Sequence, residues 1–160
     1  MAHLRRRMLA VFLLASVAVA VAESDARKKA EAELLRVHQD DRRAHLQRNV
    51  DALLAHAGAQ VIDVRDGKIR VMNLEEVRAR FTQYFSNIEF SAWDDVEPPI
   101  VHASDDGRTG WMIVRVHIAY TQVDRAGKKA PTDSTIAWMS AYEKRNGVWI
   151  MTAVTSTQSM

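Results

Sequence analysis

The sequence predicts an α+β domain in which a curved antiparallel sheet packs against a long N-terminal helix and a second, shorter helix. Two observations carry this. From Ser24 to about Ala57 neither proline nor glycine interrupts a run with apolar residues at helical spacing, and from Ile88 onward the pattern changes to alternating, aromatic and β-branched stretches. In the first helix Leu35, Leu46, Val50 and Leu53 fall within one narrow arc, while His38, Arg42, His45 and Asn49 lie on or beside it where apolar residues are expected.

Gly58 is placed to end that helix. Gln60 to Val64 and Lys68 to Met72 then read as two short strands about the turn Arg65-Asp66-Gly67. Asn73 can cap a second helix reaching about Ser86, with Glu75 and Glu76 in its first turn, where carboxylates suit the helix dipole. Its apolar face is Leu74, Val77, Phe81, Tyr84 and Phe85. Five strands follow as a meander: Ile88 to Trp93, Val96 to Ala103, Thr109 to Val123, Ser134 to Lys144 and Val148 to Thr157. Pro98-Pro99 must break or bulge the second of them, and Asn146-Gly147 is the strongest two-residue hairpin signal in the chain.

The first 22 residues have the order of a secretory signal: Arg5, Arg6 and Arg7, an apolar run from Met8 to Ala22, and small-x-small cleavage sites ending at Ala20 and Ala22. The apolar run is shorter than the roughly 20 residues that span a bilayer. A domain at 23–160, periplasmic or secreted and free of the membrane after cleavage, is therefore expected. Removal of three arginines and no acids takes Lys+Arg from 22 to 19 against 20 Asp+Glu, so the formal charge moves from +2 to −1. Such a chain has no basic footprint for nucleic acid. The absence of cysteine excludes disulfides, thiol catalysis, thiolate metal sites and a lipoprotein anchor.

One long helix, a hairpin, a second helix and a curved antiparallel sheet is the element order of the nuclear transport factor 2-like superfamily. Val50-Asp51-Ala52-Leu53-Leu54-Ala55, Val61 to Ile69 with its Asp66-Gly67, Leu74-Glu75-Glu76-Val77 and Tyr142-Glu143-Lys144-Arg145-Asn146-Gly147-Val148-Trp149 resemble its SnoaL-like branches over residues 24 to 157. The resemblance implies a cone with one pocket. It leaves the activity open among isomerases, cyclases, dehydratases, carrier adaptors and domains of unknown function. In ketosteroid isomerase-like members an aspartate after the first helix is the general base, and Asp63 stands at that position. The two acidic donors of that reaction would fall near Asp41 and Trp138, and neither is present in kind. Sheet-face pairing is frequent in the superfamily and implies a homodimer.

Other candidates come from the residues themselves. His38, Asp41 and His45 lie at i, i+3 and i+7 on one flank of the first helix and can line a cavity, relay protons or remain a hydrogen-bonded or solvated flank. Seven residues, about 10 Å of rise, separate the two histidines, too far to share one tetrahedral ion easily, and no metal or other cofactor is expected. A two-residue turn at Asn146-Gly147 pairs Trp138 with Thr155, Ser140 with Ala153 and Tyr142 with Met151, placing these side chains on one face. With Trp93, Tyr84 and Phe85 they outline an aromatic and hydroxyl pocket, or plain core. On the strand Trp111 to Val123 the face with Trp111, Ile113, Arg115 and His117 either lines a wet groove or meets a second subunit. Neither a glycine-rich phosphate loop nor a Gly-x-Ser-x-Gly elbow is present. The expectation is an exported small-molecule-binding domain, catalytically weak or inactive, with two alternatives: an isomerase, cyclase or dehydratase acting on a hydrophobic carbonyl compound with Asp63 or His38 as base, and a protein-interaction module using the sheet face.

Overall fold

The computed structural model describes residues 25–123 and 126–158. The expected signal segment lies outside them. The described chain opens in helix α1, residues 25–46. Helix α2 (Val50–Leu54), strands β1 (Ala57–Arg65) and β2 (Lys68–Asn73) and helix α3 (Leu74–Ser86) follow. Then come β3 (Ile88–Asp95), β4 (Ile100–Ala103), β5 (Thr109–Val123), β6 (Lys129–Arg145) and β7 (Val148–Gln158).

The strands form one sheet in the order β2-β1-β7-β6-β5-β3, with β4 also on β5. Strands β3 and β4 pair with successive stretches of the same edge of β5, and Pro98 and Pro99 occupy the break between them. Proline cannot donate to a ladder, so the break falls where the sequence requires it. All pairings are antiparallel except β1 with β7, which is parallel because β1 arrives from the helices rather than through a hairpin. This is the α+β, helix-covered curved sheet that the sequence predicts.

The first helix is not continuous to Ala57. Arg48 takes a left-handed φ of 52°, Arg48 N–H donates to His45 O and Asn49 N–H to Ala44 O, which closes α1 in a Schellman turn. Asn49 then caps α2 by accepting from Ala52 N–H at 3.0 Å. Gly58 does not end a helix but lies inside β1, where a Cβ would come within 3.0 Å of the Gln60 and Met151 carbonyls.

The buried stripe of α1 also differs from the expected arc. Ala30, Leu34, Val37, His38 and His45 are buried, whereas Leu35 and Leu46 stay more than a third exposed. Leu34 sits directly on Gly110 of β5, where a Cβ would approach Leu34 Cδ1 to 2.7 Å and His102 O to 2.8 Å. Glycine there lets the helix approach closely enough for Leu34 to reach Val114, Met112, Tyr142 and Trp149 in the main core. A second core joins α2, α3 and β1 through Leu54, Val61 and Val77. A third, around Trp93, Val116 and Ile118, meets the first at Trp138.

The Glu33 carboxylate ties α1 to the hairpin of β6 and β7. It accepts from Trp149 Nε1 at 2.9 Å and from Lys144 Nζ, and the ammonium also lies over the Trp149 ring. Lys144 foremost, against a partial cost of burial, holds the Glu33 carboxyl below its ordinary value. Glu33→Gln is expected to cost about 1–2 kcal/mol in urea unfolding at neutral pH. The unfolded chain takes up this proton near the ordinary value, about 4.3, before the folded chain does. The stabilisation is therefore complete above that range and is lost as pH falls through the lower native value. A difference between variant and parent that persisted unchanged in strong acid would contradict the assignment.

Candidate functional site

The inner wall of the cone is built by α1 on one side and by β3, β5 and β6 on the other. Strand parity places Met112, Val114, Val116 and Ile118 of β5 inward, each at most 2% exposed. Trp138, Ser140 and Tyr142 of β6 take the same face, and Trp93 and Asp95 of β3 join them across the sheet. The inward turn of α1 adds His38, Asp41 and His45.

His38 is 3% exposed, and its Nε2 lies 2.7 Å from Asp95 Oδ1. An ionised carboxylate only accepts, so Nε2 carries the hydrogen and Nδ1 is left with a lone pair in the neutral ring. Nδ1 is buried and has no hydrogen-bond partner among the described residues. One turn further along α1, Arg42 donates through Nε to Trp93 O at 2.6 Å and through Nη2 to Asp94 Oδ1 at 2.6 Å. Three successive residues of β3 are thus held by two residues of α1, which sets the angle at which the His38 ring enters the cone.

His45 stacks on Trp93, with ring centroids 3.9 Å apart and planes inclined by 16°. Phe81, Phe85 and Phe90 meet it edge-on. Its Nδ1–H donates to Asp41 O at 2.9 Å. Trp138 lies between the two halves of the wall, 6.4 Å from the His38 ring and 6.2 Å from Trp93. Burial pushes the Tyr142 phenol far above its ordinary value, the Asp41 carboxylate adds to the rise, and the neighbouring Ser140 hydroxyl opposes it. Burial similarly raises the Tyr84 phenol, with Tyr120 contributing. Both phenols therefore remain neutral donors.

Among the described residues, Trp93 Nε1 on this wall also has no hydrogen-bond partner, and Ser140 Oγ has none of close geometry, only the Tyr142 phenol beside it. Trp93 and Ser140 are 5% and 1% exposed. Buried polar groups are nearly always paired, so Trp93 Nε1 and His38 Nδ1 on one wall form an unusual concentration. Ser140→Ala is expected to leave stability unchanged or raise it by about 1 kcal/mol, as measured by chemical denaturation. A loss of comparable size would mean that the hydroxyl is satisfied in the free protein.

Of the residues singled out in the sequence, His38, Asp41, His45, Trp93, Trp138 and Tyr142 come together on this wall, and Tyr84 and Phe85 join the aromatic cluster beside it. His38 and His45 form a buried, hydrogen-bonded flank rather than a solvated one. Asp63 is separate from them. It is buried on β1 beneath α3, its two oxygens facing Arg65 Nη2 at 3.5 Å and Arg80 Nη1 at 3.4 Å. Its carboxylate is committed to those cations. Arg115 and His117 on the outer face pair within the chain, with Glu97 and Asp133.

The sequence reading did not single out Asp95, because the strand was expected to end at Trp93. Parity from Trp93 marks Asp95 as inward once the strand is extended. Of the expected pairs about Asn146-Gly147, Tyr142 with Met151 is present, while Trp138 lies opposite Ser156 and Ser140 opposite Val154. A bulge at Thr152 shifts the remaining register by one residue. Among the described residues no group of three or more histidines and carboxylates is placed to hold a metal ion. No helix among them is long and apolar enough to cross a membrane. A cleft of about 250 Å³ lies on the other side of α1, lined by Asp40, Arg43, Gln47, Ala52 and His56 among others, and none of the residues predicted for the site reaches it.

No family model matches the chain, and no curated protein matches it. Solved structures do. A nuclear transport factor 2-like protein from Cytophaga hutchinsonii superposes with a TM-score of 0.63 at 16% identity, covering 80% of this chain and 97% of that one. A ketosteroid isomerase-like protein from Erwinia carotovora atroseptica gives 0.64 at 13% identity, covering 81% and 96%. A nuclear transport factor 2-like protein of unknown function in nutrient uptake from Rhodospirillum rubrum gives 0.61 at 14% identity, covering 79% and 98%. At these identities the likeness establishes the fold.

Proposed function

We propose, from the nuclear transport factor 2-like fold this chain carries, that it is a small-molecule-binding domain whose ligand lies between α1 and the sheet, against His38, Trp93, Trp138, Ser140 and Tyr142. One observation carries this reading: among the described residues two buried polar atoms on one aromatic wall, Trp93 Nε1 and His38 Nδ1, lack partners, and Ser140 Oγ has only the Tyr142 phenol beside it. Leaving each unpaired costs about 1–3 kcal/mol, and a ligand offering an acceptor to Trp93 Nε1 and a donor to His38 Nδ1 offsets that cost. An apolar wall with a few convergent polar groups is the usual make-up of a small-ligand site. The arginine-led apolar leader supports export to the periplasm or beyond, with cleavage at Ala22, and the near-neutral charge that would remain disfavours nucleic acid.

A second reading rests on the His38–Asp95 pair. A carboxylate on one imidazole nitrogen fixes the tautomer and leaves the other free as a base, the logic of an oriented histidine in proton transfer. His38 rather than Asp63 is then the base of an isomerase, cyclase or dehydratase acting on a hydrophobic carbonyl compound. Native mass spectrometry of the chain purified from its exporting host tests both readings. The parent is expected to retain a small molecule that Trp138→Ala loses, and equal retention by both, or none by the parent, would count against binding. If the retained compound exchanges a carbon-bound proton in deuterium oxide, and His38→Gln abolishes exchange without abolishing retention, the domain is catalytic.

The outer sheet face supports a homodimer. Two neighbouring cross-strand rows run across it: Ile100, Ile113, Met139, Thr155, Val64 and Ile69, and beside them His102, Trp111, Ala141, Ala153, Ile62 and Val71. Ile69, Val71, Ile100 and Ile62 are 75%, 60%, 57% and 41% exposed, a continuity that single surface apolar residues do not have. Ile113→Lys is expected to convert a dimer to a folded monomer in sedimentation velocity. A parent that sediments as a monomer would leave this face to a different protein partner.

A further inference from the structure

We infer that the inner face of the β1–β2 hairpin, where α3 crosses it, is a binding site for a tetrahedral oxyanion such as a phosphate group, held by Arg65, Arg70 and Arg80 around Asp63. This site stands apart from the cone wall and does not depend on what binds there.

Placement follows from register. Asp63 and Arg65 are two apart on β1 and share a face. Arg70 lies directly opposite Asp63, and Lys68 opposite Arg65, so both β2 cations are on that same face. Arg80 descends onto it from α3 and also reaches Met72 Sδ at 3.8 Å. Arg65 and Arg80 therefore meet the carboxylate, and Arg70 and Lys68 share its face of the hairpin. Among the described residues, Arg70 and Lys68 form no ion pair.

The bonding already present leaves capacity for a ligand. Asp63, 3% exposed, takes one arginine on each oxygen at 3.4 and 3.5 Å, both longer than a close charge-assisted bond and neither bidentate. Each guanidinium has five N–H donors, so most of those on Arg65 and Arg80 remain uncommitted. Arg65 Nε is buried with no partner. A buried guanidinium N–H without an acceptor, beside an excess of positive charge, favours an anion. The cations come from two neighbouring strands of one sheet face and from the helix that crosses it, so they approach from two sides rather than in one plane. A tetrahedral oxyanion presents oxygens in three directions, whereas a planar carboxylate satisfies one fork well and the others poorly. Asp63 anchors Arg65 and Arg80 in place, which explains why a carboxylate is buried among cations instead of lining the cone.

The test is isothermal titration calorimetry of the full folded chain at low ionic strength, where such contacts are least screened, with inorganic phosphate as probe and acetate as the planar control. The parent is expected to bind one phosphate per chain and acetate about tenfold more weakly. Arg70→Gln is expected to weaken phosphate about tenfold while keeping the parental melting temperature, because Arg70 has no ion-pair partner to lose. Arg36→Gln, exposed on α1, is the control and should bind phosphate like the parent. Absence of phosphate binding by the parent, undiminished binding by Arg70→Gln, equal weakening by Arg36→Gln, or acetate binding as tightly as phosphate would each overturn the assignment.

Discussion

Helix α1 must cover the inner face of a curved sheet although its own middle is polar, and this requirement organises the molecule. Polar bonds meet it at both sides of the sheet. Glu33 joins the helix to Lys144 and Trp149 of the last hairpin, while His38 and Arg42 join it to Asp95, Trp93 O and Asp94 at the end of β3. Between these attachments Leu34 is seated on Gly110, the one inner position there with no side chain to hold the helix off. A helix fixed at two sides has little freedom to roll, so the histidines on its inward face are presented to the sheet at set angles. Orientation of the candidate site thus follows from how the helix is fastened.

The same fastening divides the interior. Toward Glu33 the space is filled by Leu34, Val37, Met112 and Val114, a dry core that carries stability. Toward β3 it is filled by rings, and there the pairing of polar atoms is incomplete. Trp93 serves both halves of this arrangement: its indole face supports His45 by stacking, and its N–H is left without an acceptor. A stable core placed beside an under-satisfied wall is how a small domain of about this size accommodates a site without losing its fold. The outer face carries different chemistry again, apolar rows whose contiguity comes from six strands and not from any single run of sequence.

Much of this was legible along the chain, and the failures have identifiable causes. Elements punctuated by strong local chemistry matched closely: Asn73 capping α3, Asp66-Gly67 and Asn146-Gly147 at the hairpins, and Pro98-Pro99 breaking the strand before β4. The break at Arg48 escaped because arginine there adopts a conformation that glycine usually supplies, held by the Schellman turn and by a tertiary bond from Arg48 Nη1 to Ile88 O. The bulge at Thr152 escaped because a one-residue insertion has no compositional signature. The sequence put His38 and His45 on or beside the arc they do occupy, but periodicity also put there Leu35 and Leu46, which the fold leaves more than a third exposed.

The sequence by itself determined the order and type of the elements, since capping, turn chemistry and alternation act between residues near in the chain. It also determined which residue types were available for chemistry, and excluded thiol and disulfide roles outright. Only the tertiary structure decided which of those residues meet. Asp95 reaches His38 from a distant strand, Asp63 is taken by Arg65 and Arg80, and among the described residues Trp93 and His38 are left with unpaired atoms on one wall. These are relations across the sheet and between helix and sheet, set by packing and register, and no local pattern encodes them.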